Sequence, residues 1–198
     1  MNPSEQARAT QLVDRARGGD RAAWNELADR YTNLLWSIAR GLGLSHADAA
    51  DAVQMTWLRL VERIDTVRQP EQLASWLATT MRRECLAVLR HNARVRVGAP
   101  EDLAEDLAGV ADADSAMDDA LVRQERDAAL WRAVGKLGRA CRALLRVLMS
   151  DPPPSYAEVS RALDMPLGSI GPTRQRCLRQ LREILRAGTG TGTSAAEG

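Results

Sequence analysis

The stretch "RAAWNELADRYTNLLWSIAR" (21–40) sets Trp24, Leu27, Ala28, Tyr31, Leu35, Ile38 and Ala39 three and four positions apart, and similar spacing returns along most of the chain. Only a helix of about 3.6 residues per turn gathers such positions on one face. Alternating β-branched runs, which a half-buried strand requires, are missing. The pattern predicts an all-α fold and excludes an architecture built on a sheet.

Helix boundaries are marked by caps. Gly18-Gly19 ends a first helix, and Asp20 is placed to cap the second, which stops at Gly41-Leu42-Gly43. Ser45 followed by Asp48 resembles a capping box with a shorter acid. The helix it opens buries Ala49, Val53, Trp57, Leu60 and Ile64. A loop, "DTVRQPEQ" (65–72), then leads to a fourth helix containing "LASWLATTMRRECLAVLRHNAR". Four interleaved apolar stripes make a small helix bundle.

The net charge is only +1, but its distribution is uneven. Residues 1–96 hold 14 arginines against 11 acids, 97–121 hold 8 acids and no base, and 122–198 hold 13 bases against 7 acids. Two small helical domains, 1–96 and 122–187, are therefore expected on either side of an acidic flexible linker at 97–121. The Gly/Thr-rich end, 188–198, reads as a disordered tail. Bases that merely solvate helices would produce the same charge pattern.

No apolar run approaches the roughly 18–20 residues of a membrane span, and the N-terminus has no apolar signal core, so a cytoplasmic protein is expected. Cys85, Cys141 and Cys177 are scattered, with no CxxC pair, and the only histidines are His46 and His91. Three buried free thiols are expected, with no metal site and no cofactor. No nucleophile with its base, paired carboxylates or phosphate loop is evident, so the chain does not read as an enzyme.

The C-terminal block "SYAEVSRALDMPLGSIGPTRQRCLRQLREIL" has the layout of a helix-turn-helix. Ser155 and Glu158 form an S-x-x-E capping box, Tyr156, Val159 and Leu163 supply the buried face, and Asp164-Met165-Pro166 makes the turn. With Ser169 as cap of the second helix, Pro172 is its third residue, where a missing N–H costs little. At 100° per residue Ile170, Cys177, Leu181, Ile184 and Leu185 share one face, with Pro172, Gln175, Arg176, Arg179, Arg182 and Arg186 roughly opposite. Arg174 falls toward the apolar side. Gly171-Pro172 thus reads as the exposed tip of a recognition helix, whose first turns reach base edges and whose later arginines reach phosphate. A solvated arginine face is the competing account.

In the fourth helix Arg83, Arg90 and Arg94 are seven and four apart and share a face suited to a nucleic-acid backbone, with Arg82 and Arg96 flanking it. Trp76 is placed either to stack on an unpaired base or, beside Leu77, to fill the core. In the third helix Asp48, Asp51, Gln54, Arg59 and Glu62 leave a polar face carrying Met55, which fits a protein-docking surface or plain solvent exposure.

Taken in order, "GDRAAWNELADRY", "LLWSIARGLGL", "DAADAVQMTWLRLVERI", "ASWLATTMRRECLAVLR", the acidic linker and "SYAEVSRALDMPLGSI" resemble the extracytoplasmic-function sigma factors of bacteria, over about residues 8–96 and 122–186. The resemblance implies a first domain that docks on the polymerase clamp, in the largest subunit, and opens the minus-ten promoter element. It implies a second domain that reads the minus-thirty-five element beside the flap of the second-largest subunit. Partners implied are core RNA polymerase and promoter DNA, with an anti-sigma protein as a further candidate. Asp51, Gln54, Met55 and Arg59 fall on the docking helix, although the family often has acids where this chain has Ala50 and Met55. Arg68 and Gln69 fall in the loop that would capture an unpaired base, and Trp76, Arg82, Arg83, Arg90 and Arg94 on the minus-ten helix. Ser169, Gly171, Pro172, Thr173, Arg174, Gln175, Arg176 and Arg179 fall on the recognition helix. The family commonly reads Gly-Thr-Val-Lys-Ser-Arg there, so shorter side chains at this tip imply closer approach to DNA. A stand-alone helix-turn-helix regulator is the alternative.

Overall fold

The computed structural model describes residues 3–67, 69–97 and 130–189, and these contain helices and turns with no strand. The helices are α1 (Pro3–Arg17), α2 (Arg21–Leu42), α3 (His46–Arg63), α4 (Leu73–Val97), α5 (130–135), α6 (Arg139–Leu148), α7 (Tyr156–Leu163) and α8 (Leu167–Thr189). Two single 3-10 turns, Ile64–Thr66 and Pro70–Gln72, join α3 to α4. Most of the expected acidic linker, 98–121, and of the expected tail, 190–198, lies outside the described residues. The backbone of α8 continues through Thr189, past the boundary expected at 187.

The caps sit where local chemistry puts them. The Asp20 carboxylate accepts hydrogen bonds from the N–H groups of Ala22 and Ala23, and Arg15 donates to it from the end of α1. Arg15 first, and then the Ala23 N–H, hold this carboxyl below its usual range. Gly43 ends α2 at φ 91°, a left-handed conformation that costs glycine nothing. Ser45 caps α3 through the Asp48 N–H, while the Asp48 side chain accepts from the Ser45 hydroxyl and from Asn92 of α4. The Ser155–Glu158 box is complete in both directions.

Helices α1 to α4 close around Leu27, Leu35, Ile38, Leu60, Leu77 and Met81, all fully buried. Each such side chain contributes about 1.5–3 kcal/mol relative to exposure. Trp57, expected in this core, is only partly buried and packs at its margin.

The C-terminal helices rest directly on the bundle: α6 packs on α2, and α7 on α4. The apolar interior is continuous across that junction, running from Leu12 to Leu144, Val159 and Ile170. Gly41 of α2 lets the two backbones approach, since a Cβ there would stand 3.2 Å from the Ala143 Cα. Asn33 donates to the Asp151 carbonyl at 3.1 Å, and Arg82 bonds Asp164 at 3.0 Å. Beside these contacts a cavity of about 300 Å³ is lined by Arg30, Tyr31, Leu34, Ala74 and the Pro152–Pro154 run.

Two further expectations differ from the structure. Cys141 and Cys177 are joined in a disulfide linking α6 to α8, with Cα atoms 5.3 Å apart, so only Cys85 is a buried free thiol. The sequence kept this hidden because the partners lie 36 residues apart and meet only when the two helices pack. Ser169 does not cap α8, which starts at Leu167 after Pro166, and the Ser169 N–H and hydroxyl both turn back to the Pro166 carbonyl. Pro172 is therefore the sixth helical residue. It has no N–H for the Gly168 carbonyl that an ordinary residue there would satisfy.

Candidate nucleic-acid interface

Three surfaces carry the candidate residues. On α3, burial of Ala49, Ala52, Val53, Thr56 and Leu60 against the bundle turns Asp51, Gln54 and Met55 outward. Met55 is 40% exposed, and Leu58 and Val61, at 47% and 55%, extend its apolar strip by a further turn and a half. Sequence reading passed over Leu58 and Val61; the signal was present in their spacing of three and six from Met55, on a helix whose core positions were already filled. Arg59 does not point freely outward. Its guanidinium stands 2.5 Å from Glu84 of α4, a carboxylate mostly removed from solvent. Thr56 completes the α3–α4 seam, its hydroxyl donating to the Ala52 carbonyl and lying 3.2 Å from the Met81 sulfur.

The second surface is the α3–α4 loop with the outer face of α4. Arg17 reaches from α1 to donate to the Ile64 and Val67 carbonyls, anchoring the loop entrance. That anchor was missed because it joins residues 47 and 50 positions apart. Gln69 is exposed just before Pro70, which opens the second 3-10 turn, while Arg68 lies outside the described residues. Trp76 is partly buried and packs against the core, the second of its two expected placements. Arg83, Arg90 and Arg94 are exposed along one stripe. Arg82 is not in it: the side chain is 23% exposed and turned to Asp164.

The third surface is α8. Ile170 and Cys177 are fully buried and Leu181 nearly so, which turns Pro172, Gln175, Arg176, Arg179 and Arg182 to solvent. Arg174 is exposed too, not directed at the apolar side. Ser169, Gly171 and Thr173 are half-buried. The α-positions of Gly168 and Gly171 face open space, so the tip is narrow and its backbone accessible. An electropositive helix face with an open, short-chained N-terminal end has the shape and charge to enter a DNA groove.

One further basic group lies at the α2–α6 contact. Burial, and then the neighbouring Arg40 and Arg142, hold the Arg146 guanidinium below its usual range, and it lies 5.1 Å from the Trp131 ring centroid. Among the described residues no cluster of three or more His, Cys, Asp or Glu could hold a metal, and no helix is long and apolar enough to cross a membrane.

The chain is similar to several known proteins. The family model for sigma-70 region 2 matches residues 27–95, from α2 through α4. The ECF RNA polymerase sigma factor SigE of Mycolicibacterium smegmatis is 28% identical over 188 residues, covering 93% of this chain and 70% of that protein. The ECF RNA polymerase sigma factor BldN of Streptomyces coelicolor is 27% identical over 186 residues, covering 92% and 67%. Among solved structures, CnrH in complex with the cytosolic domain of CnrY aligns with a TM-score of 0.56 at 19% identity, covering 89% of this chain and 96% of that one. The sigma factor RpoE in complex with the anti-sigma factor NepR, from Bartonella quintana, aligns with a TM-score of 0.59 at 20% identity, covering 82% and 97%. At such identities the structural likeness concerns the fold.

Proposed function

We propose that the chain is an extracytoplasmic-function sigma factor of the sigma-70 family, which binds core RNA polymerase, brings it to specific promoters and helps open the DNA there. The family assignment supports a role in promoter-directed transcription. The observation that carries the finer reading is the separation of three exposed surfaces: an apolar and polar strip on α3, an arginine stripe on α4, and an arginine face with an open tip on α8.

In this reading α3 docks on polymerase through Asp51, Gln54 and Met55, extended by Leu58 and Val61. The α4 stripe, Arg83, Arg90 and Arg94, holds the backbone near the minus-ten element, with Gln69 and Arg68 at the capture loop. Trp76 supports that helix from its core side. Pro172, Gln175, Arg176 and Arg179 face the minus-thirty-five duplex, with Ser169, Gly171, Thr173 and Arg174 around them. No bond is made or broken; the work is positioning and capture of unpaired bases. The action is cytoplasmic, and an anti-sigma protein is a candidate regulator.

Function also requires movement. The two promoter elements lie about 25 base pairs apart, or about 85 Å at 3.4 Å per pair. In this structure Arg82 of α4 and Asp164, three residues before α8, are in direct contact. Reading both elements together requires α6–α8 to leave α2 and α4. The 32 residues between Val97 and Leu130 can span up to about 110 Å when extended, so chain length permits it.

Gel filtration with sigma-free core polymerase tests the reading. Wild type co-elutes, and Gln54→Ala/Met55→Glu weakens the complex at least tenfold. Folded protein that fails to co-elute yet binds duplex DNA would instead identify a stand-alone helix-turn-helix regulator.

A further inference from the structure

The Cys141–Cys177 bond lies in the helix-turn-helix unit and ties the recognition helix to the helix behind it. Cys177 is fully buried on the inner face of α8, between Ile170 and Leu181. Cys141 is 8% exposed, with the Gln180 side-chain amide oxygen Oε1 3.5 Å from its sulfur. The third cysteine, Cys85, is remote in sequence and fully buried in the α1–α4 bundle, and burial pushes its thiol up to about 12, so it does not compete for the pair. Around the bond the helical unit is small: residues 130–189, whose apolar interior leans partly on α2 and α4. A cross-link matters most in a unit with so little core of its own.

Disulfides are rare in reducing compartments, and those that occur there are usually transient and redox-responsive. We propose that Cys141 and Cys177 form a reversible disulfide whose redox state sets how firmly the recognition helix α8 is held to α6. The proposal rests on the reading above only for its cellular setting, beside RNA polymerase.

The chemistry balances with a peroxide as oxidant and a cellular dithiol as reductant. The Cys141 thiol, on the less buried of the two residues, gives up its proton and the thiolate attacks one peroxide oxygen; an S–O bond forms, the O–O bond breaks, and the leaving hydroxide takes up that proton and departs as water. The Cys177 sulfur then displaces the hydroxyl from Cys141, which leaves as a second water with the Cys177 proton. The cysteine pair loses two electrons and two protons in all. Reduction by a dithiol reverses the bond through a mixed disulfide. Two unbonded sulfurs cannot occupy the positions of a bonded pair, and this interior is filled by Ile170, Leu144 and Leu181. Reduction therefore shifts α8 on α6.

The test uses the full chain. After treatment with a small excess of hydrogen peroxide, thiol titration in denaturant is expected to find one thiol per chain, with peptide mapping showing Cys141 joined to Cys177. After dithiothreitol it finds three. Across graded ratios of reduced to oxidised glutathione the bond opens at intermediate ratios, melting falls by roughly 10 °C or more, and amide exchange in α8 accelerates. Cys141→Ser/Cys177→Ser abolishes that dependence. Three thiols after peroxide treatment would overturn the pairing. A bond that persists in excess reduced glutathione, or one whose opening leaves α8 exchange unchanged, would overturn the switch. Each readout is independent of polymerase binding, so co-elution with core enzyme judges the functional reading separately.

Discussion

Cys85 and Gly41 illustrate how single positions carry different loads. Cys85 sits with no exposed surface, and desolvation raises its thiol to about 12 from the usual 9.0. Iodoacetamide at pH 8 is therefore expected to alkylate it only in denaturant. The unfolded thiol ionises above pH 9 while the folded one stays neutral to about 12, so this group lowers stability progressively as pH rises through that window. Urea titrations at pH 8 and pH 10, compared between wild type and Cys85→Ala, check the sign: the variant loses less. Gly41 is a close-approach position, since any Cβ meets the Ala143 backbone at 3.2–3.3 Å. Alanine there requires α6 to give by a few tenths of an ångström; leucine cannot be seated at all. Gly41→Leu is expected to prise α6 from α2 and raise the radius of gyration in small-angle scattering. An unchanged radius in a folded variant would count against the close packing of these helices.

In α7 and α8 single positions near the N-terminal end set much of the helix's stability. Ser155→Ala removes one half of a complete capping box and is expected to cost about 1 kcal/mol, read as a lower urea midpoint with an unchanged slope. Pro172 poses the opposite case. Its ring occupies the sixth position of α8, where an ordinary residue would bond the Gly168 carbonyl. Pro172→Ala restores that bond and is expected to stabilise by up to about 3 kcal/mol. If promoter reading depends on the narrow, open tip, the same change weakens duplex binding while raising the melting temperature. Parallel melting and fluorescence-anisotropy measurements separate the two effects. Proline inside a helix is a stability cost, and on α8 it stands on the face proposed to meet DNA.

The packed arrangement of the molecule balances apolar contact against like charge. The contact of α6 and α7 with α2 and α4 extends one interior across both groups of helices, and Asn33–Asp151 and Arg82–Asp164 add polar links at its edge. The Arg82–Asp164 pair is largely solvated on the Asp164 side, 79% exposed, and such pairs contribute little. Arg40, Arg142 and Arg146 gather on the same seam and repel. Raising salt from 0.05 M to 0.5 M shortens the screening length from about 14 Å to about 4 Å. The packed state is therefore expected to tighten with salt, with a smaller radius of gyration, whereas duplex binding weakens. A radius that grows with salt would assign the seam to attractive charge pairs instead.

Much of this was legible in the chain because helix formation is local. Periodicity places Leu27, Leu35, Ile38 and Leu60 inward, and Asp20, Gly43, Ser45 and Ser155 fix where helices start or stop, all through contacts within four residues. The arginine faces of α4 and α8 follow from the same arithmetic, since a residue opposite a buried stripe has nowhere to go but solvent. The order of the motifs also carried the resemblance to extracytoplasmic-function sigma factors. What the residues could not disclose was contact between distant segments. Arg17 on the Val67 carbonyl, Arg59 on Glu84, Cys141 on Cys177 and Gly41 against Ala143 join positions from 25 to 102 apart. An arginine or a cysteine carries no local mark of its partner, and a glycine inside a helix looks like a weakness until another backbone is seen lying on it. Local hydrogen bonding and side-chain periodicity wrote the helices and their faces; the shapes of the packed surfaces chose which helices touch, and with them which charged groups are left facing solvent.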